Sequence, residues 1–493
     1  MAGKLILAID QGTTGTTALI VDDKLKVRAK ANREFRQVFP KPGQVEHEAS
    51  AIWESVEASV GAALQASSVA PSEIAAIGIT NQRETTCLFD RHSHPLHNFI
   101  VWQDRRTAER CAQLKATGIE PMVKQRTGLV LDPYFSGTKM QWLLENVPGA
   151  RAQINKGDAL FGTIDSWLVH KLSGGKAHVT DATNASRTLL LDLASVQWND
   201  ELLSIFDIPK AALPRVCSSS EIYATTQGIG FLPDGIPIAG IAGDQQAALF
   251  GQACFSAGEA KCTYGTGAFM LLHTGNRIVP SSAGLLTTIA SKIGDEVSYA
   301  LEGAAFIAGA AVQWLRDGLG IVTSAAEIEG LARSVDDAGE VCFVPALAGL
   351  GAPHWRAEAR GLLCGLSRDS NKGHIARAVL EGIALQNVEV LQAMTKDAGL
   401  LKVLKVDGGA SSNNLLMQMQ CDFLDVACVR PQLVETTALG AAALAGLAAG
   451  IFPSKDAVRE VWREDRTFTP SMSSQQREAK VTIWKKAVAR AAL

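Results

Sequence analysis

The sequence LILAIDQGTTGTTAL occupies residues 5–19 and predicts a strand, a tight turn and a second strand. The apolar run ends in Asp10, and a turn rich in Gly and Thr follows it. Glycines let backbone N–H groups approach an anion, threonine hydroxyls add donors, and a carboxylate can face Mg²⁺. The turn leads into a strand and carries no Gly-Lys-Ser/Thr, which excludes the usual P-loop. The stretch therefore indicates either a phosphate-and-metal site or an ordinary Gly-rich hairpin.

Length and composition indicate a soluble protein of two or three domains. The chain has 493 residues, of which 47% are hydrophobic and 20% charged. A net charge of −3 gives no reason to expect nucleic acid or a membrane surface as a partner. The nine cysteines form no Cys-x-x-Cys pair, and the chain enters its first strand without a signal peptide, so we expect a cytoplasmic protein. The apolar run at 437–452 predicts a buried helix and no membrane span.

Polar side chains follow two further predicted strands. The strand at 74–79 leads to Arg83 and Glu84, which are either a ligand-binding pair or a surface ion pair. The strand at 236–242 leads to Asp244 at the start of an Ala-rich helix, where a carboxylate is either a proton acceptor or a helix N-cap. A third polar stretch, at 91–97, is rich in His and is better explained as a turn than as a metal cluster.

The opening pattern returns halfway along the chain. Residues 260–270 again predict a strand, a Gly/Thr turn and a strand, which suggests two related domains that face one cleft. Small residues at 303–315 predict a helix that others can approach closely. A strand at 404–407 then leads through Gly408 and Gly409 into a helix, a turn that is either a nucleotide contact or a generic tight turn.

Four short motifs now stand in a fixed order: Asp-x-Gly-Thr-Thr at 10–14, Gly-Asp-Gln at 243–245, Gly-Thr-Gly at 265–267 and Asp-Gly-Gly at 407–409. This set resembles the actin-like ATPase superfamily. From about residue 4 to about residue 465 the chain resembles the FGGY family of carbohydrate kinases, on longer motifs at 81–84, 101–106, 134–139, 243–246 and 345–355.

The resemblance implies an α/β fold of two duplicated actin-like, ribonuclease H-like ATPase domains around a central cleft. Residues 1–250 would hold the acceptor pocket and the first phosphate hairpin. Residues 251–493 would hold the second phosphate hairpin and the adenosine site. The motifs are most similar to those of family members that phosphorylate glycerol, which implies transfer of phosphate from Mg-ATP to give sn-glycerol 3-phosphate and ADP.

Two alternatives to glycerol phosphorylation stay open. A kinase for another small polyol or a ketose, such as dihydroxyacetone or xylulose, would use the same fold, because pocket size cannot be inferred from sequence. An actin-like ATPase without an acceptor is a different class of protein, and the polar residues at 83, 84, 134 and 244 argue against it.

The resemblance also assigns roles to individual residues. Asp244 would be the general base and Asp10 the Mg²⁺ ligand. Glycerol would contact Arg83, Glu84, Trp102, Tyr134, Asp244, Gln245 and Phe269. ATP would contact Thr13, Thr14, Gly15, Thr266, Gly309, Gln313, Gly409 and Asn413. Relatives form dimers and tetramers, so a homodimer or homotetramer is expected.

The chain departs from the family pattern at two places. Gly15 and Thr17 stand where members often carry Ser and Arg, so the first hairpin lacks a cation for the nucleotide phosphates. Some bacterial members are inhibited by fructose 1,6-bisphosphate at a Gly/Arg-rich loop. The matching loop, residues 225–235, has no Lys or Arg, so a bisphosphate would find no charge partner there.

Overall fold

The computed structural model describes residues 4–493. In the first half, the strands are β1 (Leu5–Gln11), β2 (Gly15–Val21), β3 (Val27–Glu34), β4 (Glu46–His47), β5 (Ile74–Asn81), β6 (Thr86–Asp90), β7 (Phe99–Ile100), β8 (Ala159–Thr163), β9 (Val179–Asp181), β10 (Leu191–Asp192), β11 (Gln197–Trp198), β12 (Arg215–Cys217), β13 (Ser220–Thr225) and β14 (Pro237–Gly243). The helices are α1 (Ala49–Ser67), α2 (Ala108–Ala116), α3 (Glu120–Thr127), α4 (Ser136–Asn146), α5 (Ala150–Lys156), α6 (Ile164–Leu172), α7 (Ala182–Ala185), α8 (Asp200–Phe206) and α9 (Asp244–Gly251).

The second half has its own set of elements. The strands are β15 (Glu259–Tyr264), β16 (Ala268–Gly275), β17 (Leu286–Ile293), β18 (Glu296–Ala305), β19 (Cys342–Val344), β20 (Leu362–Cys364), β21 (Val403–Asp407), β22 (Cys428–Pro431) and β23 (Glu464–Phe468). The helices are α10 (Gly309–Asp317), α11 (Glu327–Ala332), α12 (Lys372–Ala398), α13 (Asn414–Leu424), α14 (Thr436–Ala448), α15 (Lys455–Val461) and α16 (Ser474–Ala491).

The two central sheets share a core arrangement of five strands. The first has the order β13-β14-β5-β1-β2-β3, and the second has the order β17-β18-β16-β15-β21-β22-β23. In each sheet three antiparallel strands, β1-β2-β3 or β15-β16-β18, stand beside two parallel strands, β5 and β14 or β21 and β22. The duplication that the two Gly/Thr turns suggested is therefore present in the backbone.

Apolar spacing accounts for the helices that cover these sheets. Ile52, Val56 and Val60 lie on one face of α1 and are fully buried in the core against the first sheet. The predicted buried helix at 437–452 corresponds to α14, which packs against β1, β5 and β14 of the first sheet although it belongs to the second half. None of the helices within residues 4–493 is both long and apolar enough to cross a bilayer.

Glycine lets α14 lie unusually close to its neighbours. A Cβ on Gly440 would stand 1.8 Å from the Ala247 carbonyl oxygen in α9, and a Cβ on Gly78 in β5 would stand 2.2 Å from the Ala441 oxygen. Backbone therefore meets backbone at both places. This contact joins the second half of the chain to the first sheet.

The helix predicted over residues 303–315 is wrong in its first part. Gly303 to Ala305 complete β18, where Gly303 pairs with Met270 of β16, and α10 begins at Gly309. Small residues fit a helix interface and a crowded strand equally well, so they do not distinguish the two. Here a Cβ on Gly303 would come within 2.6 Å of Val390 of α12, because α12 packs closely against β18 at this position.

Candidate active site

The two Gly/Thr turns form matching hairpins. In the first, Gly12 N donates to Gly15 O (2.9 Å) between β1 and β2. In the second, Gly265 N donates to Gly267 O (2.9 Å) between β15 and β16. Thr14 and Thr266 are exposed at the two turns. Each hairpin thus presents hydroxyl groups and backbone at a strand end, as phosphate binding requires.

The N-terminus of α10 is attached to the second hairpin. Gly309 N donates to Gly265 O (3.0 Å), and Ala308 N and Ala310 N donate to Thr266 O (2.8 and 3.0 Å). A Cβ on Gly309 would stand 2.6 Å from the Gly265 oxygen, so this approach requires glycine. Gln313, one turn further along α10, is exposed.

The remaining predicted nucleotide residues lie in a turn beside the same hairpin. Gly409 belongs to a 3₁₀ turn after β21, and the preceding Gly408 has φ 82° and packs against the Tyr264 backbone. Asn413 caps α13, because its Oδ1 accepts from Leu416 N (2.9 Å), which leaves its amide NH₂ for other contacts. The structure therefore places this turn next to the second hairpin.

Parallel pairing collects the predicted catalytic residues at one edge of the first sheet. Asp10 pairs with Thr80, and Gly243 pairs with Asn81, so β1, β5 and β14 end side by side. Arg83 and Asp244 follow directly, and Arg83 Nε lies 3.1 Å from Asp244 Oδ1. Arg83 and Glu84 are fully buried, so the surface ion pair that the sequence left open is excluded.

An aromatic wall connects this edge to the first hairpin. Trp102 and Tyr134 meet edge to face with ring centroids 5.6 Å apart. Trp102 Nε1 donates to Thr13 Oγ1 (2.9 Å), and Arg83 Nη2 lies 3.5 Å from the Tyr134 hydroxyl. Three predicted acceptor contacts, Arg83, Trp102 and Tyr134, therefore connect to one predicted nucleotide contact, Thr13.

The other two predicted acceptor residues lie on either side of the domain junction. Gln245 is at the start of α9, and its Oε1 accepts from the buried Lys261 Nζ, which also donates to Thr263 Oγ1 (2.9 Å). Burial lowers the pKa of Lys261, and the carboxylates of Asp407 and Asp244 oppose this shift. Phe269, opposite Thr263 in the β15–β16 pair, is half-buried.

Asp10 and Asp244 form an acidic pair. Burial, together with the neighbouring Asp244 carboxylate, raises the pKa of Asp10 to about 7, and Lys30 opposes this shift. A divalent cation held by Asp10 would offset the repulsion between the two carboxylates, and Mg²⁺ is commonly held by one or two carboxylates plus substrate phosphates. The donor set therefore fits Mg²⁺. Within residues 4–493, no three or more His, Cys, Asp or Glu side chains are grouped so that they could hold a metal ion, and this includes the His-rich stretch at 91–97.

Two charged residues of this site carry no motif that the sequence analysis recognised. Arg187, after α7, donates from Nε to Glu84 Oε1 (2.6 Å) and from Nη2 to Glu302 Oε1 (2.8 Å). Glu302, in β18, accepts a two-pronged pair from Arg83 (2.5 and 3.0 Å). Burial alone would raise the pKa of Glu302, but Arg187 and Arg83 outweigh it and lower the pKa to about 2.

A signal for both residues does exist. Glu302 is the single charged residue between residues 297 and 315, and Arg187 follows a stretch of small and polar residues. A lone charge inside an apolar strand predicts a buried partner of opposite charge, although not which one.

Sequence comparison identifies the family. The N-terminal domain of the FGGY family of carbohydrate kinases matches residues 5–251, and its C-terminal domain matches residues 260–449. The chain belongs to the FGGY family of carbohydrate kinases. The predicted family is thus confirmed, and the two matched ranges follow the two halves described above.

Relatives within the FGGY family cover almost the whole chain. It is 58% identical to a glycerol kinase of Myxococcus xanthus over 492 residues, 99% of each chain. It is 55% identical to a glycerol kinase of Deinococcus radiodurans, across 99% of this chain and 97% of that one. The crystal structure of Plasmodium falciparum glycerol kinase with ADP superposes with a TM-score of 0.94 at 37% identity, covering 100% of this chain and 99% of that chain. The predicted FGGY fold is confirmed.

The two departures from the FGGY pattern are visible in the structure. Thr17 Oγ1 accepts from Asn32 Nδ2 (2.9 Å) on β3, so position 17 forms a neutral cross-strand contact. In the loop at 225–235, Gly228 N donates to Asp234 Oδ1 (2.7 Å), so this loop carries a carboxylate and no cation.

Proposed function

We propose that this FGGY kinase transfers the γ-phosphoryl group of ATP to glycerol, giving sn-glycerol 3-phosphate and ADP. The observation that carries the proposal is the convergence of Arg83, Glu84, Tyr134 and Asp244 beside the Asp10 hairpin. A phosphate-binding cleft with a dedicated polar acceptor pocket suits a kinase better than an ATPase. The relatives at 58% and 55% identity, both glycerol kinases, support glycerol as the acceptor.

The pocket has the chemistry that a small triol needs. Carboxylate and guanidinium groups at Glu84 and Arg83 would take the hydroxyls, with Gln245 as a further polar partner. Trp102 and Phe269 would cover the thin C–H faces of the polyol. Because Arg83 and Glu84 are almost fully buried, a hydroxyl that fails to pair with them would leave charges unsatisfied. Recognition would therefore depend on hydroxyl placement.

Asp244 would act as the general base. Its side chain is 32% exposed, and Arg83 Nε lies 3.1 Å from its Oδ1. An ionised carboxylate at this position would accept the proton of the attacking hydroxyl as the phosphoryl group transfers.

The nucleotide would lie between the two hairpins. Thr13, Thr14 and Gly15 from the first hairpin, and Thr266 from the second, would donate to its phosphates. Gly309, Gln313, Gly409 and Asn413 would line the adenosine. Asp10 would hold Mg²⁺, which when bound supplies positive charge against the phosphate oxygens. Closing the cleft would exclude water, the competing acceptor.

The domain boundary near residue 250, a cytoplasmic location and a homodimer or homotetramer complete the proposal. The nine cysteines are all free in the described structure, which is compatible with a reducing compartment.

The test is ADP formation by purified protein with MgATP and glycerol, dihydroxyacetone, xylulose or no acceptor. We expect glycerol to give by far the highest rate. A higher rate with a ketose would mean that the protein is a kinase whose acceptor is that ketose and not glycerol. ADP formation indifferent to every acceptor would contradict the proposal and favour an ATPase.

A further inference from the structure

Four buried charged residues form one connected group, the charge cluster: Arg83, Glu84, Arg187 and Glu302. Arg83 binds Glu302 through Nη1 and Nη2 (2.5 and 3.0 Å), and Arg187 bridges Glu302 and Glu84 (2.8 and 2.6 Å). The side chains are at most 4% exposed. Two cations balance two anions, so removal of any one leaves an unbalanced charge in this buried group.

The charge cluster joins residues from the two halves of the chain. Arg83, Glu84 and Arg187 belong to the first half, whereas Glu302 belongs to β18 of the second. In the sheet, Glu302 pairs with Leu271 of β16, the strand that leaves the Gly-Thr-Gly hairpin. A carboxylate attached to the second phosphate hairpin thus holds a guanidinium of the predicted acceptor pocket.

Glu84 shows why this support matters. Its backbone has φ 62°, a left-handed conformation that non-glycine residues adopt only when their surroundings hold them. Ser136 Oγ holds its carbonyl oxygen (3.0 Å), and Arg187 Nε holds its Oε1 (2.6 Å). Within residues 4–493, the one hydrogen bond to its carboxylate ends on Oε1, which leaves Oε2 for a ligand.

The hydrogen-bonding groups of the Arg187 guanidinium are only partly paired. Its Nη1 is buried and has no hydrogen-bond partner within the described chain. The guanidinium faces the rings of Tyr134 and Phe135, at 5.9 and 5.3 Å from their centroids. Arg187 therefore lies against the aromatic ring of Tyr134 as well as binding Glu84.

We propose that Arg187 and Glu302 are positioning residues for the acceptor: they orient Glu84 and Arg83, so the pocket in the first half is complete only when Glu302 of the second half is in place. This inference rests on the proposed function, because it assumes that Glu84 and Arg83 bind the acceptor hydroxyls. It makes acceptor binding sensitive to the relative placement of the two phosphate hairpins.

The main experiment compares Arg187→Lys and Glu302→Gln with the wild-type protein in glycerol kinetics and in ADP binding. Lys keeps the charge but cannot bridge two carboxylates through a planar fork. Misplacing Glu84 and Arg83 should raise the KM for glycerol by about 10- to 100-fold. ADP affinity should stay unchanged, since neither residue is among the predicted nucleotide contacts.

Glu381→Gln is the matched control. Glu381 is also a buried carboxylate between two cations, Lys480 (2.9 Å) and Arg377 (3.8 Å), and neither cation belongs to the acceptor pocket. We expect this variant to lose stability without a change in the KM for glycerol. Thermal unfolding of every variant separates lost stability from lost positioning.

If Arg187→Lys and Glu302→Gln fold and keep the wild-type KM for glycerol, the proposal is overturned. Arg187 and Glu302 would then have only a structural role. If the variants do not fold, hydrogen exchange of the wild-type protein decides: glycerol should slow exchange in β18, and an unchanged β18 would overturn the proposal. A wild-type protein that does not phosphorylate glycerol would refute the proposed function itself, which the acceptor comparison detects separately.

Discussion

Asp244 combines an ion pair with an accessible carboxylate, which makes it the residue on which chemistry should depend most. Asp244→Asn keeps the size of the side chain and removes its capacity to accept a proton. We expect kcat to fall by about 10²- to 10⁴-fold, while ADP binding measured by calorimetry stays unchanged. A variant with kcat near that of the wild-type protein would remove Asp244 from the role of base.

Asp10 is expected to govern the metal requirement. Asp10→Asn should raise the Mg²⁺ concentration needed for half-maximal activity by at least about tenfold, because a carboxylate ligand is lost. Asp23→Asn, at an exposed position after β2, is the control and should change nothing. Equal Mg²⁺ dependence of the Asp10 variant and the control would place the metal elsewhere.

Among individual site residues, those that belong to a sequence motif could be predicted, whereas those outside any motif could not. Asp10, Arg83 and Asp244 follow buried strands in recognisable patterns, so their convergence at one sheet edge could be predicted. Glu302 and Arg187 are close in the folded protein but 115 residues apart in the sequence. Their ion pair forms only because the two halves of the chain pack against each other.

At the scale of elements, the close packing of α9 against α14 requires that residue 440 carry no Cβ. Gly440→Ala would place a Cβ 1.8 Å from the Ala247 oxygen, so the helices must separate. We expect a loss of about 1–3 kcal/mol in the free energy of unfolding, measured by urea denaturation.

Gly330→Ala is the control for this helix substitution. Gly330 lies in α11 with nothing within 4 Å of its Cβ position, so alanine there should stabilise the helix by about 0.5–1 kcal/mol. Equal effects of the two alanines would contradict the close approach of α9 and α14.

The loop between β13 and β14 predicts the response to an anionic regulator. Residues 225–235 carry Asp234 and no Lys or Arg, so fructose 1,6-bisphosphate should leave activity unchanged in a rate assay. Inorganic phosphate at matched ionic strength is the control. An inhibition curve in the millimolar range for the bisphosphate alone would overturn this prediction.

Element boundaries show where local pattern is sufficient. The two hairpins could be predicted because a carboxylate and glycines interrupt apolar strands in both. The end of β18 could not, because Gly303 and Ala304 are equally compatible with a helix contact, and only pairing with β16 decides between them.

The whole molecule has two copies of one five-strand core arrangement with a shared cleft. The duplication was predictable from the repeated Gly/Thr turn. The position of α14 was not, since a helix from the second half covers the first sheet through contacts that no local pattern encodes. Together with the charge cluster, this helix connects the two halves of the chain.

The central claim is that the protein transfers the γ-phosphoryl group of ATP to a polyol and not to water. The most direct measurement is a product balance by ³¹P NMR after incubation with MgATP and glycerol. We predict ADP and glycerol 3-phosphate in equal amounts, with ADP formation falling sharply when glycerol is omitted. ADP accompanied by inorganic phosphate, at a rate independent of glycerol, would contradict the account.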